Sequence, residues 1–235
     1  MRLPFLLPLL SALLSWSCTQ STPEPAPAGP TPPPGTPTAT VSYLALGDSY
    51  TIGQSVPAAE RWPVQLAGLS GGQIQPPDLI AQTGWTTADL QRAIASSGNQ
   101  RTYDLVTLLI GVNNQFQGLP LTQYRTEFRQ LLGTAVRFAD NRPGRVLVLS
   151  IPDWGRSPQG RRYDPARISQ EIDQFNAAAR QECQSAGVTF LDITDLTRAA
   201  ENDPAQFAAD GLHYSGAQMQ QWARRALPVV QGMVR

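Results

Sequence analysis

The chain has 235 residues, which is enough for one globular domain of ordinary size together with additional segments. Its 18 basic and 18 acidic residues balance, so the composition favours neither a nucleic-acid partner nor electrostatic attraction to a membrane surface. All of the basic residues are arginine. This excludes Schiff-base chemistry, a serine–lysine dyad and a lysine-bearing phosphate loop.

The first residues have the pattern of a secretory signal. Arg2 precedes an apolar run over residues 3–14, which is shorter than the roughly 20 residues of a membrane-spanning helix. The run Ser-Trp-Ser then leads to Cys18 and resembles the processing site of a bacterial lipoprotein. We therefore expect a signal peptide at residues 1–17, lipidation of Cys18 and a location in the cell envelope outside the cytoplasm. Cleavage to a soluble secreted form is the alternative.

A proline-rich segment follows. Between residues 19 and 40 the chain consists largely of Pro, Thr, Ala and Gly, with a single charge at Glu24. Such a composition cannot bury a core and favours extended polyproline II structure. We therefore predict a tether at residues 18–40 and one domain at residues 41–235.

The first strand of that domain ends at a candidate nucleophile. An apolar run begins at Val41 and stops at Gly47, Asp48 and Ser49. In an open α/β sheet, ligands bind beyond the carboxyl ends of the strands, so the Ser49 side chain is expected to face the binding crevice.

The remainder of the domain alternates between helices and strands. The predicted helices span residues 61–69, 86–97, 121–140, 165–185 and 215–231, and the further strands span residues 79–82, 104–110, 145–151 and 188–193. The third and fourth strands are apolar on both faces, as parallel strands covered by helices require. We predict an α/β fold, a three-layer α/β/α sandwich around a five-stranded parallel sheet.

The only histidine of the chain lies close to an acidic residue near the C-terminus. Asp210 precedes His213 by three residues, so one loop can present the carboxylate to one ring nitrogen while the other nitrogen faces outward. A serine hydroxyl needs such an oriented base to act as a nucleophile. Ser49, Asp210 and His213 are therefore the predicted catalytic residues.

Two further blocks lie between these segments. Gly84 stands in the run Gln-Thr-Gly-Trp-Thr-Thr at residues 82–87, and Asn113 stands in Gly-Val-Asn-Asn at residues 111–114, after the third strand. Each block alone is also compatible with a turn or a helix boundary. Taken in order with Ser49 and with Asp210 and His213, the four blocks resemble the GDSL-type, or SGNH, hydrolases. The resemblance runs from about Val41 to the C-terminus.

This resemblance implies a flavodoxin-like fold and specific roles. Ser49 is implied as the nucleophile, and Asp210 with His213 as the acid–base pair. The implied oxyanion hole is formed by Ser49, Gly84 and Asn113. No metal or organic cofactor is implied.

The sequence departs from the family pattern at two positions. Tyr50 replaces a leucine, which should alter only packing, and Asn114 replaces an aspartate, which is expected to loosen the loop that aims Asn113. The α/β-hydrolase fold uses the same residue types but requires glycine two residues after the serine and separate loops for acid and base. Thr51 occupies that position here, so the SGNH pattern fits better.

The substrate is only partly constrained by the sequence. We expect Trp85, Asn114 and Trp154 to line the substrate pocket, while core packing or loop anchoring is an equal alternative for the two tryptophans. Cys183 is expected to be a small buried side chain. The predicted activity is hydrolysis of short acyl esters or lysophospholipid-like esters. The alternatives are removal of O-acetyl groups from carbohydrate or peptidoglycan, and a catalytically inactive carbohydrate-binding domain. We expect a monomer that contacts membrane only through a lipid on Cys18.

Overall fold

Five strands form one parallel sheet. They are β1 (Tyr43–Gly47), β2 (Asp78–Ala81), β3 (Leu105–Leu109), β4 (Val146–Leu149) and β5 (Thr189–Leu191). Their order in the sheet is β2-β1-β3-β4-β5. This computed structural model describes residues 40–235, so the predicted signal peptide, Cys18 and nearly all of the predicted tether lie outside the described residues.

Eight α-helices accompany these strands within residues 40–235. They are α1 (Ser49–Ile52), α2 (Trp62–Leu69), α3 (Thr87–Ser97), α4 (Val112–Phe116), α5 (Leu121–Phe138), α6 (Pro165–Ala186), α7 (Thr194–Ala199) and α8 (Gly216–Met233). The longer helices have local end signals. The hydroxyl of Thr86 and the carboxylate of Asp89 cap the start of α3 reciprocally, and Gly98 ends this helix in the left-handed conformation.

The strand order reverses its direction at β1. The chain moves from β1 to β2 on one side and then crosses back to β3 on the other side, after which β4 and β5 follow outward. Because parallel crossovers are right-handed, this reversal puts α2 on one face of the sheet and α3, α5 and α6 on the other. The reversal also opens a crevice at the carboxyl ends of β1 and β3.

The buried core is centred on β1, β3 and β4, in which every residue is buried. Gly47 is level with Ala81 of β2 and with Leu109 of β3, so three strands end at the same edge. On the α2 face, α8 packs against α2, and the Gln65 side chain donates a hydrogen bond to the Gly216 carbonyl at 2.8 Å. This contact holds the start of α8 beside the segment that follows β1.

The predicted fold class is confirmed. Every predicted strand and helix is present, with ends that differ by a few residues. The first strand begins at Tyr43 rather than Val41, because Val41 forms only an isolated bridge with Ile74. The sequence analysis missed α1, α4 and α7, which have four to six residues and are too short to show helical periodicity.

Candidate active site

Ser49 is the first residue of α1 and follows β1 after a single intervening residue, Asp48. The carboxylate of Asp48 accepts a hydrogen bond from the Tyr50 N–H at 3.0 Å and so caps the helix. A side chain at Gly47 would place its Cβ 2.1 Å from the Thr51 hydroxyl oxygen and 2.5 Å from the Leu109 carbonyl oxygen. Glycine is therefore required where the strand turns into the helix.

Asp210 and His213 form a hydrogen-bonded pair in one short turn. Nδ1 of His213 lies 2.7 Å from Oδ2 of Asp210, while Oδ1 accepts the backbone N–H groups of Leu212 and His213 at 2.9 Å each. Because an ionised carboxylate only accepts hydrogen bonds, Nδ1 carries the proton and Nε2 of the neutral ring is left as an acceptor. A general base needs a ring nitrogen in this state.

The Asp210 carboxylate is kept ionised by its hydrogen bonds. Burial raises its pKa, but the Ser55 hydroxyl, the N–H groups of Leu212 and His213 and the imidazole outweigh burial and lower the pKa from 3.8 to about 2. The Ser55 hydroxyl donates to Oδ2 at 2.6 Å. Sequence reasoning missed Ser55, since nothing in a loop serine indicates a partner 155 residues away.

Ser49 and His213 line the same cavity, which has a volume of about 140 Å³. The cavity is lined by Ser49, Tyr50, Thr83, Gly84, Val112, Asn113, Phe116, Trp154, Leu212 and His213. The structure thus brings together four of the predicted catalytic and oxyanion residues, with Asp210 directly behind the imidazole. Among the hydrogen bonds within residues 40–235, none joins Ser49 to His213; such contacts are often long in enzymes without substrate.

The three proposed oxyanion donors lie around this cavity, and each has an N–H group without an acceptor in the described part of the chain. The backbone N–H groups of Ser49 and Gly84 have no acceptor within residues 40–235. Nδ2 of Asn113 donates to the Trp85 carbonyl at 2.9 Å, which orients the amide and uses one of its two N–H groups. Gly84 has a φ of +84°, a backbone conformation that other residues rarely adopt.

A second glycine holds the asparagine segment in position. Gly111 has a φ of +127°, and a Cβ there would lie 2.6 Å from the ring of Tyr124. It precedes α4, whose second residue is Asn113. The close approach of Gly111 to Tyr124 therefore fixes where α4 starts and how it presents the amide.

The prediction that Asn114 lines the substrate pocket is wrong. Its side chain is fully buried, with Oδ1 accepting the Thr87 N–H at 3.0 Å and Nδ2 lying 2.7 Å from the Thr87 hydroxyl oxygen. These two contacts connect α4 to the start of α3. An asparagine can both accept and donate in this way, so the expected loosening of the loop has no support in the structure.

The two tryptophans have different surroundings. Trp154 lies at the catalytic cavity, and its indole N–H donates to the Gln115 side chain at 2.7 Å. Trp85 is not one of the residues that line the cavity; its ring packs partly buried against the core, and only its carbonyl contacts Asn113. The packing alternative therefore applies to Trp85.

A larger cleft of about 300 Å³ adjoins the catalytic cavity and shares Phe116 and Trp154 with it. Phe116 and Tyr163 are the most exposed large apolar side chains of the described residues, at 54% and 63%. Both rings pack edge-on against Trp154, at centroid distances of 5.3 and 5.4 Å. Arg167, Asp164 and Glu171 line the polar side of this cleft. We call this feature the aromatic cleft.

Neither a metal centre nor a membrane-spanning helix is found in the described part of the chain. Residues 40–235 contain no group of three or more His, Cys, Asp or Glu side chains arranged to bind a metal ion. No helix in this range combines the length and the apolar character needed to cross a membrane.

Comparison with known proteins identifies the family. The model of the GDSL-like Lipase/Acylhydrolase family matches residues 45–221. Three solved structures are similar in fold. TesA has 15% identity, covers 82% of this chain and 99% of its own, and has a TM-score of 0.65. The psychrotrophic esterase EstA from Pseudoalteromonas sp. has 14% identity and a TM-score of 0.62, and the match covers 81% of this chain and 97% of EstA. Axe2, an acetylxylan esterase from Geobacillus stearothermophilus, has 19% identity and a TM-score of 0.64, and the match covers 83% of this chain and 96% of Axe2.

No curated protein sequence matches this chain. At identities below one fifth, the three structures establish the fold alone. The family match is independent of them and covers well over half of the chain. The protein therefore belongs to the GDSL-like lipase/acylhydrolase family and is an ester hydrolase.

Proposed function

We propose that the protein is a serine esterase that cleaves carboxylic esters through an acyl-enzyme on Ser49. One observation carries the proposal: Ser49, His213, Gly84 and Asn113 line a single cavity, although they come from four separate segments of the chain. A nucleophile, a base and donors for a negative oxygen are the groups that acyl transfer needs.

The reaction proceeds in two steps. Nε2 of His213 takes the proton of the Ser49 hydroxyl as its oxygen bonds to the ester carbonyl carbon. The resulting oxyanion accepts hydrogen bonds from the N–H groups of Ser49 and Gly84 and from the Asn113 amide. The imidazolium then protonates the departing alcohol, which leaves the acyl group on Ser49. In the second step His213 takes a proton from water as the water oxygen attacks the acyl carbon. The imidazolium then returns a proton to the Ser49 oxygen, and the carboxylic acid is released. Throughout, Asp210 holds the Nδ1 proton and stabilises the imidazolium.

The size of the catalytic cavity supports short acyl groups. A volume of 140 Å³ corresponds to about four or five water molecules. The apolar part of the cavity wall is formed by Val112, Leu212 and Phe116, and such a surface suits a small alkyl group. We expect kcat/KM on p-nitrophenyl esters to be highest for acyl chains of about two to four carbons and to fall at least about tenfold for octanoate.

A carbohydrate O-acetyl esterase is the second candidate, and the aromatic cleft favours it. Exposed rings of Phe116 and Tyr163 beside Arg167 and Glu171 combine apolar surface with hydrogen-bonding groups, as expected where a sugar ring binds. The fold similarity to the acetylxylan esterase is compatible with this candidate. Tyr163→Ala should raise KM about tenfold for an acetylated xylo-oligosaccharide and leave hydrolysis of p-nitrophenyl acetate unchanged. Equal effects on both esters would contradict the carbohydrate candidate.

The proposed esterase activity has a direct test. A fluorophosphonate probe should label the wild-type chain, and peptide mass spectrometry should locate the label on Ser49. Ser49→Ala should lose both labelling and p-nitrophenyl acetate hydrolysis while keeping its thermal transition. Ser157→Ala is a suitable control, because Ser157 is a buried serine outside the cavity. Labelling at another residue, or hydrolysis retained in Ser49→Ala, would refute the mechanism.

We also propose that the protein is exported and anchored in the cell envelope through a lipid on Cys18, and that it is monomeric. The proposal is supported by the signal-like residues 1–17 and by the cysteine that follows them. Mass spectrometry of the mature N-terminus should detect a diacylglyceryl-modified Cys18. An unmodified N-terminus beyond residue 18 would favour the secreted form.

A further inference from the structure

The carboxylate of Asp210 accepts four hydrogen bonds, which fills its acceptor capacity. Three donors belong to its own turn: the N–H groups of Leu212 and His213 and the imidazole of His213. The fourth is the hydroxyl of Ser55, at 2.6 Å from Oδ2. Within residues 40–235, the only ionic partner of Asp210 is His213. Ser55 is therefore the one group from outside the turn that holds this carboxylate.

The backbone at Ser55 is costly for a serine. Its φ is +65°, in the left-handed region that glycine adopts without penalty. Only two other non-glycine residues of the described chain, Asp140 and Asn141, have a positive φ. Ser55 is also exposed, so core packing does not explain its side chain. The hydroxyl bond to Asp210 is the contact that distinguishes serine from glycine here.

The loop that carries Ser55 also contacts the other parts of the site. It comprises residues 53–55 and begins directly after α1, and we call it the elbow loop. The Gln54 N–H donates to the Ser49 carbonyl at 2.9 Å, and the Gln54 side chain accepts the Thr83 hydroxyl at 2.6 Å. Thr83 immediately precedes the oxyanion donor Gly84. The elbow loop thus connects the nucleophile, the oxyanion segment and the acid.

We propose that Ser55 is a positioning residue for the catalytic pair. Its hydroxyl fixes the Asp210 carboxylate relative to the nucleophile helix, and Asp210 in turn fixes the His213 ring. The role in catalysis rests on the proposed esterase function, but the coupling of Ser55 to the His213 ring does not. Ser55 does not line the catalytic cavity, so it acts through Asp210 rather than on substrate.

The sole histidine makes the coupling directly measurable. An NMR titration of the untagged full chain gives one imidazole signal, that of His213, without any need for activity. A carboxylate that loses one donor holds the imidazolium more strongly. We therefore expect the midpoint of this titration to move to higher pH by about half a unit in both Ser55→Ala and Ser55→Gly. In the same variants, kcat should fall about fivefold with KM unchanged, and the acid limb of kcat/KM should follow the titration midpoint.

Two comparisons separate the hydroxyl from the backbone. Ser55→Ala and Ser55→Gly lose the same donor, but only glycine relieves the cost of the positive φ. Asn141→Gly relieves the same kind of cost at an exposed site outside the cavity, and should leave both the titration and kcat unchanged. A shift of the midpoint in Ser55→Ala but not in Ser55→Gly would assign the effect to the backbone and overturn the proposal. Titration curves of both variants that superimpose on the wild-type curve would also overturn it. If the midpoints move while the wild-type chain hydrolyses no ester, the coupling stands and the esterase proposal fails.

Discussion

The proposed nucleophile and the proposed acid–base pair are held by different physical means. Around Ser49, the side chains of Asp48 and Thr51 are fully buried and Gly47 lies against backbone, so packing determines the geometry. The turn that carries Asp210 and His213 is more exposed and is held chiefly by hydrogen bonds. The first segment should therefore be sensitive to added volume, and the second to lost donors. The site thus combines a tightly packed segment around the proposed nucleophile with a proposed base that is held mainly by hydrogen bonds.

The largest effect is expected in the hydrogen-bonded half of the site. His213→Ala removes the proposed base and should lower kcat by about 10⁴-fold or more. The side chain of His213 is 12% exposed and its ring packs edge-on against Tyr50, so we expect the fold to be retained with a loss of about 1 kcal/mol in the free energy of unfolding. Steady-state kinetics and circular dichroism test both expectations. A variant that keeps more than a tenth of wild-type kcat would show that another group acts as the base.

The tightly packed segment around Ser49 should be sensitive to an increase in side-chain volume instead. In Gly47→Ala the new Cβ would collide with Thr51 and with the Leu109 carbonyl, and we expect a loss of about 3 kcal/mol in the free energy of unfolding. Gly68→Ala is the matched control, because Gly68 is exposed in α2 and an added methyl group would meet no atom within 4 Å. This control should gain up to about 1 kcal/mol. Denaturant unfolding measures both, and equal stability of the two variants would contradict the packing argument.

Asn113 should affect the reaction more than the fold. Asn113→Ala removes one proposed oxyanion donor and should lower kcat about 100-fold. It also removes the contact with the Trp85 carbonyl, so Gly84 loses part of its support. Kinetics on p-nitrophenyl acetate, with the thermal transition as a check of folding, measure the loss. An unchanged kcat would mean that the negative oxygen is stabilised elsewhere.

The smallest effect concerns pH and the buried Asp48. Burial raises the pKa of this carboxyl from 3.8 to about 7, although the Tyr50 N–H opposes the shift. A raised folded-state pKa means that its stabilising contribution is complete below about pH 4 and is lost as the pH rises to about 7. Asp48→Asn cannot titrate and retains a cap acceptor. We expect its melting temperature to exceed that of the wild type at pH 8 by about 4 °C and to differ little at pH 4.

Asp164→Asn is the control for this titration. Asp164 caps α6 in the same way, by accepting the Arg167 N–H at 3.0 Å, but it is exposed. Its replacement should leave the difference in melting temperature between pH 4 and pH 8 unchanged. A parallel gain in both variants would attribute the effect to capping rather than to burial of a charge.

The elements with a strong pattern were predictable from sequence. A run such as Leu105–Leu109 is apolar on both faces, and α5 places its apolar residues at helical spacing, so both could be recognised without a fold in hand. The four blocks that carry the site were found for a related reason. Each lies where such an element begins or ends.

The remainder depended on tertiary geometry. Asn114 adjoins Asn113, but α4 rotates successive residues by about 100°, which turns Asn114 inward to Thr87. Trp85 adjoins Gly84, yet its ring packs on the core and only its carbonyl serves the site. Ser55 meets Asp210 across 155 residues, and no local pattern can report such a pair.

The packing of α8 on α2 has a consequence for the order in which the enzyme becomes competent. The serine and both glycine-bearing blocks lie in the first half of the chain, while the histidine stands just before the final helix. A chain that ended before residue 207 would retain the residues of all five strands and Ser49, but it would lack Asp210, His213 and α8. Under the proposed mechanism, catalysis therefore requires residues 207–235 to pack onto the rest of the domain, and ester hydrolysis would report that this packing is complete.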